Sequence, residues 1–159
     1  MGAPRRPSGL EVQALSFAID ANILLHASNS ASAEHPLAVE FLESVAQKNE
    51  VVCFAWTTLM SFLRISTNPA IFPAPLTVEA AEANVAALLS LTHARLLVEQ
   101  DGFWEVYREV SRDVRPRGNL VPDTHLAALL KHSGVRVLYT NDADFRRFEF
   151  LELRNPLAG

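Results

Sequence analysis

Four aspartates stand where strands are predicted to end or a helix to begin in this sequence. Asp20 directly follows the apolar run SFAI, and Asp142 and Asp144 come just after the apolar run VLY. Asp123 falls in the first turn of a predicted helix that follows the segment GNLVP. If the strands before Asp20 and Asp142 are neighbours in one parallel sheet, their carboxyl ends meet and the four carboxylates converge on one crevice.

The chemistry of such a crevice follows from its charge. Like charges gathered in one place are unfavourable unless a cation offsets them. Oxygen ligands of this kind suit Mg²⁺ or Mn²⁺, and the amino-terminal end of a helix favours the ionised form of Asp123. Taken singly, each aspartate could instead form a turn or cap a helix. Their joint occurrence at one predicted sheet edge favours a metal-dependent site.

The elements that would position these residues alternate between short apolar strands and helical patterns. Strands are predicted over residues 15–19, 51–55, 94–99, 135–140 and 150–153, and helices over 35–48, 57–66, 77–91, 102–114 and 122–134. Thr77 is predicted to cap the third of these helices and Gly134 to end the fifth. This alternation predicts a parallel sheet covered by helices on both faces.

Length and composition indicate one globular domain. The chain has 159 residues, of which 49% are hydrophobic and 20% are charged. Residues 1–15 lack the apolar core of a signal sequence, so they are interpreted as a flexible arm in front of a single domain, 16–159. No apolar run is long enough to cross a membrane. Cys53 is the only cysteine, and we expect a buried thiol in a protein of the reducing cytoplasm.

The basic residues qualify the acidic net charge. A formal net charge of −4 taken by itself argues against a nucleic-acid partner. However, the segment REVSRDVRPRGN concentrates arginines. Arg108 and Arg112 are expected to pair with acids of their own helix. Arg115 and Arg117 precede the next helix and are interpreted as contacts for a phosphate backbone. Arg64 either reaches the same site or forms a structural ion pair.

Two stretches of the chain resemble a known family. FAIDANILLHA resembles the opening strand and turn of PIN domains, in which an aspartate is followed two residues later by Asn, Ser or Thr. GNLVPDTHLAALLKHSGVRVLYTNDADFRRF and the ending LRNPL are similar to the carboxyl-terminal half of VapC toxin ribonucleases, and FLRISTNPAIF is similar to one branch of them. The resemblance runs over about residues 17–157.

The resemblance implies both a fold and an activity. The fold is a three-layer α/β/α PIN-like fold with a central parallel sheet of four to five short strands. The activity is that of a cytoplasmic endoribonuclease toxin that needs Mg²⁺ or Mn²⁺ and hydrolyses RNA phosphodiester bonds with a metal-activated water. By position, the resemblance assigns metal binding to Asp20, Asp123 and Asp142, an accessory acidic role to Asp144, and supporting polar roles to Asn22 and Thr140.

One position departs from the family pattern. Many PIN toxins carry a glutamate in the helix after the second strand, where this chain has Ser61, and no carboxylate lies between Glu50 and Glu79. The site could therefore bind one metal ion instead of two, bind it weakly, or use a water in place of the carboxylate. A catalytically weak PIN module that acts by binding RNA or a protein stays open as an alternative function.

Partners also follow from the resemblance. VapC-like toxins usually form homodimers and are inhibited by a VapB-like antitoxin that wraps a groove of the toxin. The apolar helices FLESV and TTLMSFL could supply such a groove, or they could pack in the core. Trp56 and Trp104 are expected in the core or an interface. A haloacid-dehalogenase-type phosphatase is disfavoured because Asn22 stands where that class needs a second aspartate.

Overall fold

The computed structural model describes residues 16–159 of the chain. In order, its elements are β1 (Ser16–Ile19), α1 (Ala21–Ser28), α2 (His35–Gln47), β2 (Val51–Ala55), α3 (Trp56–Ser66), α4 (Val78–Leu89), β3 (Ala94–Leu97), α5 (Phe103–Val114), α6 (Leu120–His132), β4 (Val137–Tyr139), a short 3-10 helix (Ala143–Arg147) and β5 (Glu152–Arg154).

The five strands form one parallel sheet in the order β3-β2-β1-β4-β5. Along the chain, β2 is added beside β1 and β3 beside β2, and the chain then crosses back so that β4 and β5 lie on the other side of β1. The strand order therefore reverses between β1 and β4. In open α/β sheets, ligands bind beyond the carboxyl ends of the strands at such a reversal.

Alternation along the strands gives the sheet two apolar faces. Phe17 and Ile19 of β1 point into a core formed with α1, α2, α3 and α4, whereas Ala18 between them points into a second core with α5 and α6. In β2, Phe54 likewise points into the first core and Cys53 into the second. The predicted three-layer α/β/α architecture with a parallel sheet is confirmed, because successive strand side chains point to opposite faces.

Element boundaries differ from the prediction by a few residues. β3 ends at Leu97 and β5 spans Glu152–Arg154, while α6 begins at Leu120, before Pro122. Thr77 caps α4 as predicted, since its Oγ1 accepts a hydrogen bond from the amide of Ala80 at 3.1 Å. The prediction for Leu15 and the arm 1–15 lies outside the described residues.

Two short elements were not predicted, α1 and the 3-10 helix. Both begin directly after an acidic residue that caps them, Asp20 and Asp142 respectively. Eight and five residues are too few for a clear helical periodicity, so their sequence pattern is not distinguishable from a turn.

Burial explains the chemistry of the single cysteine. Cys53 is 1% exposed in the middle of β2, and this burial raises the pKa of its thiol to about 11. The thiol is therefore neutral and packs as a small apolar side chain, as predicted. Within residues 16–159, no helix combines the length and the apolar character needed to cross a membrane.

Candidate metal centre at the carboxyl edge of the sheet

The pairing of β1 with β4 brings Asp20 and Thr140 together. Ile19 pairs with Tyr139, and the backbone amide of Asp20 donates a hydrogen bond to the carbonyl oxygen of Tyr139 at 2.9 Å. The next residue of each strand is therefore fixed at the same edge. There, the hydroxyl of Thr140 donates to Oδ2 of Asp20 at 2.8 Å.

Thr140 is the centre of a hydrogen-bond network. Its side chain is almost fully buried at 4% exposure. Besides donating to Asp20, its Oγ1 accepts hydrogen bonds from Nδ2 of Asn22 at 3.3 Å and from the backbone amide of Asp142 at 3.0 Å. The predicted supporting residues Asn22 and Thr140 thus connect β1, α1 and the loop after β4.

Three carboxylates meet in front of this network. One carboxylate oxygen from each of Asp123, Asp142 and Asp144 lies within 4.8 Å of the other two. Asp123 reaches the edge from the first turn of α6, Asp142 comes from the loop after β4, and Asp144 from the 3-10 helix that follows it. Asp20 is not in this group of three and is joined to it by the hydrogen bonds of Thr140. Which of the four acids ligate a metal ion stays a prediction.

The helix-capping interpretation holds for Asp20 and Asp142 but not for Asp123. Oδ1 of Asp20 accepts from the amide of Ala21 at 2.8 Å, and Oδ1 of Asp142 accepts from the amide of Asp144 at 2.9 Å. Asp123 is the fourth residue of α6 and is not its cap. Capping therefore gives no reason for the carboxylate of Asp123 to lie at this edge.

The electrostatics of the site are those of crowded carboxylates. Burial, followed by the negative charges of Asp142, Asp20 and Asp144, raises the pKa of Asp123 to about 6. Burial also raises the pKa of Asp20, and the hydrogen bonds from Thr140 and Ala21 oppose that rise. A divalent cation would remove both penalties, because it offsets the repulsion and replaces the lost hydration with direct ligation. The donor set fits a hard cation.

The raised pKa of Asp123 has a measurable consequence for stability. Between the ordinary value of 3.8 and about 6, the folded chain binds more protons than the unfolded chain, so the free energy of unfolding decreases as pH rises. Asp123→Asn removes this penalty. We expect the variant to have a higher Tm than the wild type in EDTA at about pH 7.5, and a much smaller difference near pH 4.

The control for this experiment is Asp113→Asn, which changes an exposed aspartate of α5. Thermal unfolding of the three proteins at both pH values is the measurement. An Asp123→Asn protein with a lower Tm at the higher pH, or an equal difference at both, would contradict the assignment of the penalty to this carboxyl group.

The arginines of α5 do not form the predicted ion pairs. No carboxylate oxygen of residues 16–159 lies within 4.0 Å of Arg108 or Arg112, and Glu109 is paired with Lys131 at 3.1 Å instead. The intrahelical pairing prediction is therefore wrong. Arg108, Arg112, Arg115 and Arg117 together line one open depression of about 390 Å³. Arg115 has a φ of 53°, a left-handed conformation that is uncommon outside glycine.

An apolar groove lies on the α1–α4 side of the sheet. It has a volume of about 430 Å³ and is lined by residues of α1, α2 and α4, including Leu24, Leu42 and Leu88, with Phe62 from α3. Of the segments FLESV and TTLMSFL, the first contributes Leu42 and Glu43 and the second only Phe62. The lining residues from α1 and α4 were not predicted, because the groove forms between four helices that are distant in sequence.

Other polar and aromatic residues also have defined places. Nε2 of His125 lies 2.7 Å from Oε1 of Glu99, so His125 does not join the acidic group, as expected. Trp56 is 45% and Trp104 is 62% exposed, so neither belongs to the core. Ser61 lies on α3, and that helix brings no carboxylate to the site.

Comparisons with known proteins agree with this architecture. The family profile described as PIN domain matches residues 17–151. Ribonuclease VapC48 of Mycobacterium tuberculosis is 39% identical over 145 residues, which cover 91% of this chain and 100% of that protein. Ribonuclease VapC37 of the same organism is 36% identical over 141 residues, covering 88% of this chain and 96% of that protein.

Solved structures show the same fold at lower identity. VapBC2 from Rickettsia felis, bound to a DNA fragment from its promoter, superposes with a TM-score of 0.64 at 19% identity over 88% of this chain and 98% of the other. VapC20 of M. tuberculosis, described as a sarcin-ricin loop cleaving toxin, gives 0.62 at 23% identity over 87% and 98%. The chain belongs to the PIN domain family.

Proposed function

We propose that this chain is a metal-dependent endoribonuclease toxin of the VapC type. The observation that carries the proposal is the meeting of Asp123, Asp142 and Asp144 at the carboxyl edge of the sheet, next to the Asp20–Thr140 hydrogen bond. The names of two relatives, ribonucleases that are 39% and 36% identical to this chain, support the reaction class.

Three of the four aspartates would bind the metal ion, and the fourth would act in proton transfer. Asp20, Asp123 and Asp142 would hold Mg²⁺ or Mn²⁺, with Asp144 adjacent to them. A bound ion of this kind lowers the pKa of a coordinated water and offsets the charge of the scissile phosphate. Asp144 is exposed and lies beside the ligands, so it can orient the attacking water or take its proton. Thr140 holds Asp20 in place.

Positive charge for the RNA backbone would come from the arginines around the site. Arg115 and Arg117 belong to the depression at the end of α5, a few residues before the helix that carries Asp123. Without carboxylate partners within residues 16–159, they are free to bind phosphate oxygens. Arg108 and Arg112 line the same depression, and Arg64 is exposed in the last turn of α3. A cytoplasmic location accords with an RNA substrate.

The deciding experiment is cleavage of total RNA by purified, antitoxin-free protein. The reaction is run with Mg²⁺, with Mn²⁺ and with EDTA, beside an Asp20→Asn protein prepared in the same way. Discrete fragments that require metal and that the variant does not produce are the expected result. Fragments that the Asp20→Asn protein also produces would indicate a contaminating nuclease.

The alternative is a PIN module that binds RNA or protein without efficient cleavage, and Ser61 is the observation that favours it. The same experiment separates the two functions, because a folded protein that binds the RNA and leaves it intact with both metals would support the binding module. Ser61→Glu supplies a carboxylate on α3, and cleavage gained only in that variant would assign the weakness to this position.

Two protein partners are part of the proposal. A VapB-like antitoxin would place an apolar segment in the groove between α1, α2 and α4, because solved relatives are VapBC complexes. A second copy of the chain would pack on exposed apolar side chains. Trp56 and Val98 are exposed and directly follow the paired residues Ala55 and Leu97. The molar mass in solution, measured by light scattering, tests the homodimer.

A substitution in the groove is expected to weaken the antitoxin complex. Ala87 is an exposed residue of α4 that lines the groove. Ala87→Glu introduces a charge and a longer side chain there without removing any core contact, so we expect roughly a tenfold or greater loss of affinity for a co-expressed VapB-like antitoxin. Ala86→Glu is the control, because Ala86 is exposed on the same helix and does not line the groove. Equal affinities of the two variants would exclude the groove as the antitoxin site.

A further inference from the structure

A second depression adjoins the acidic group on the side of β5. It has a volume of about 500 Å³, within the usual range for small-molecule sites. Thr140 and Asp142 line it and are also part of the acidic site. Asn155 lines it from the position directly after β5. The depression therefore shares two residues with the acidic site and extends from there along β5, since Leu151 before that strand lines it as well.

The depression combines an apolar floor with a polar rim. Phe148 and Leu151 are almost fully buried, at 2% and 8% exposure, and present apolar surface at its base. Asn141, Asn155 and Arg146 are exposed around it. A flat heterocycle with polar edges is the kind of ligand that such a site accommodates, since its faces contact the floor and its edges meet the amides.

The rim amides are held in defined orientations. Oδ1 of Asn155 accepts a hydrogen bond from the amide of Leu157 at 2.9 Å, which leaves its Nδ2 free to donate. Nδ2 of Asn141 lies 3.3 Å from Nε2 of His26. The rim therefore offers a donor from Asn155 and an acceptor, Oδ1, from Asn141.

His26 is itself fixed by hydrogen bonds that determine its tautomer. The hydroxyl of Ser32 donates to Oε2 of Glu34 at 2.8 Å, and Nδ1 of His26 lies 2.7 Å from that hydroxyl oxygen. Nδ1 must then carry the proton and donate to Ser32. Nε2 is left as the acceptor for Nδ2 of Asn141. His26 is thus a positioning residue for the amide of Asn141.

We infer that this depression binds one nucleobase of the RNA substrate, next to the scissile phosphate, and that Asn141 and Asn155 hydrogen-bond to its edge. This inference rests on the proposed ribonuclease function. The Watson–Crick edge of every nucleobase presents a donor beside an acceptor, and it is accessible when the base is unpaired, so the free donor and acceptor of the rim match that edge. Arg146 adds a cation for the adjoining phosphate.

The test uses a synthetic RNA that contains one mapped cut site, and versions of it with an abasic residue at each position flanking the cut. Asn155→Asp is the variant, because aspartate keeps the Oδ1 that accepts from Leu157 and removes the Nδ2 donor. Asn49→Asp adds the same charge at an exposed position before β2, at the opposite edge of the sheet. Asn141→Ala is the second variant.

We expect Asn155→Asp and Asn141→Ala to lower kcat/KM for the intact RNA by roughly tenfold or more, whereas Asn49→Asp leaves it unchanged. On the RNA that is abasic at one particular position, wild type and variants are expected to react at the same rate. Variants that lose as much on every abasic RNA as on the intact RNA would overturn the inference.

A binding measurement separates this inference from the proposed function. Dissociation constants are measured in EDTA by fluorescence anisotropy for a short RNA and for versions of it that are abasic at each single position, so no cut site has to be known. If the wild type cleaves no RNA but its affinity depends on Asn155 and on one single base, the base site stands and the nuclease proposal fails. If RNA affinity is unaffected by either variant and only antitoxin affinity changes, the depression is a protein contact and the inference is wrong.

Discussion

Asp142→Asn is expected to reduce RNA cleavage by about 10³-fold, the scale of effect seen when one charged or preorganised group is removed from a catalytic site. The carboxylate of Asp142 lies within 4.8 Å of those of Asp123 and Asp144, and its negative charge raises the pKa of both Asp20 and Asp123. Asparagine keeps the Oδ1 that caps the 3-10 helix, so the loop is expected to retain its structure.

The same substitution has a readout that does not depend on activity. With the charge of Asp142 removed, the pKa of Asp123, about 6 in the wild type, is expected to move toward its ordinary value. A carboxyl-carbon NMR titration of metal-free protein measures this shift. Asp113→Asn is the control for cleavage and titration. Cleavage by Asp142→Asn within about tenfold of the wild type would remove this residue from the catalytic group.

Thr140→Val is expected to have the second-largest effect, on both stability and activity. Valine has nearly the same shape as threonine but lacks the hydroxyl, so Asp20, Asn22 and the amide of Asp142 each lose a partner. Leaving buried polar groups unpaired costs about 1–3 kcal/mol of unfolding free energy. Cleavage is expected to fall by about 10- to 100-fold, because the residues that orient ligands have effects of this size.

Thr140→Ser distinguishes the hydroxyl from the packing of the side chain. Serine retains the hydrogen bonds and loses only a methyl group, so we expect activity close to that of the wild type with a modest loss of stability. Loss of the bond from Thr140 should also raise the pKa of Asp20 further in the valine variant, because that bond opposes the effect of burial. Urea unfolding, cleavage rates and the titration of Asp20 are the measurements. Serine and valine variants with equal activity would show that the hydroxyl is dispensable.

The residues of the candidate site could be predicted from the sequence because their positions relative to the strand ends depend only on short segments of the chain. An aspartate directly after an apolar run ends at the carboxyl edge of its strand, whatever its neighbours are. For this reason Asp20, Thr140 and Asp142 could be placed at one edge as soon as a parallel sheet was predicted. The placement of Asp123 required the start of a helix to be predicted as well, and Pro122 directly before it indicates such a start.

The surroundings of the site were less predictable, since they depend on contacts between distant segments. The arginines of α5 were expected to pair with acids on their own helix, but Lys131 of α6 pairs with Glu109 and leaves Arg108 and Arg112 without carboxylate partners in the described part of the chain. The groove and the depression beside β5 likewise join residues far apart in sequence. No local pattern encodes which of several charged side chains is nearest in space.

The sequence by itself determined the alternation of strands and helices, the parallel sheet and the identity of its acidic residues, because hydrophobic periodicity and strand ends are properties of short segments. Only the tertiary structure decided the strand order β3-β2-β1-β4-β5, which makes β1 and β4 neighbours and so joins Asp20 to Thr140 over 120 positions of chain. It also decided that the carboxylate of Asp144 lies with those of Asp123 and Asp142, whereas Asp20 is joined to them through Thr140. Distances between side chains of different elements are set by packing of the whole domain, and the sequence of any one segment does not contain them.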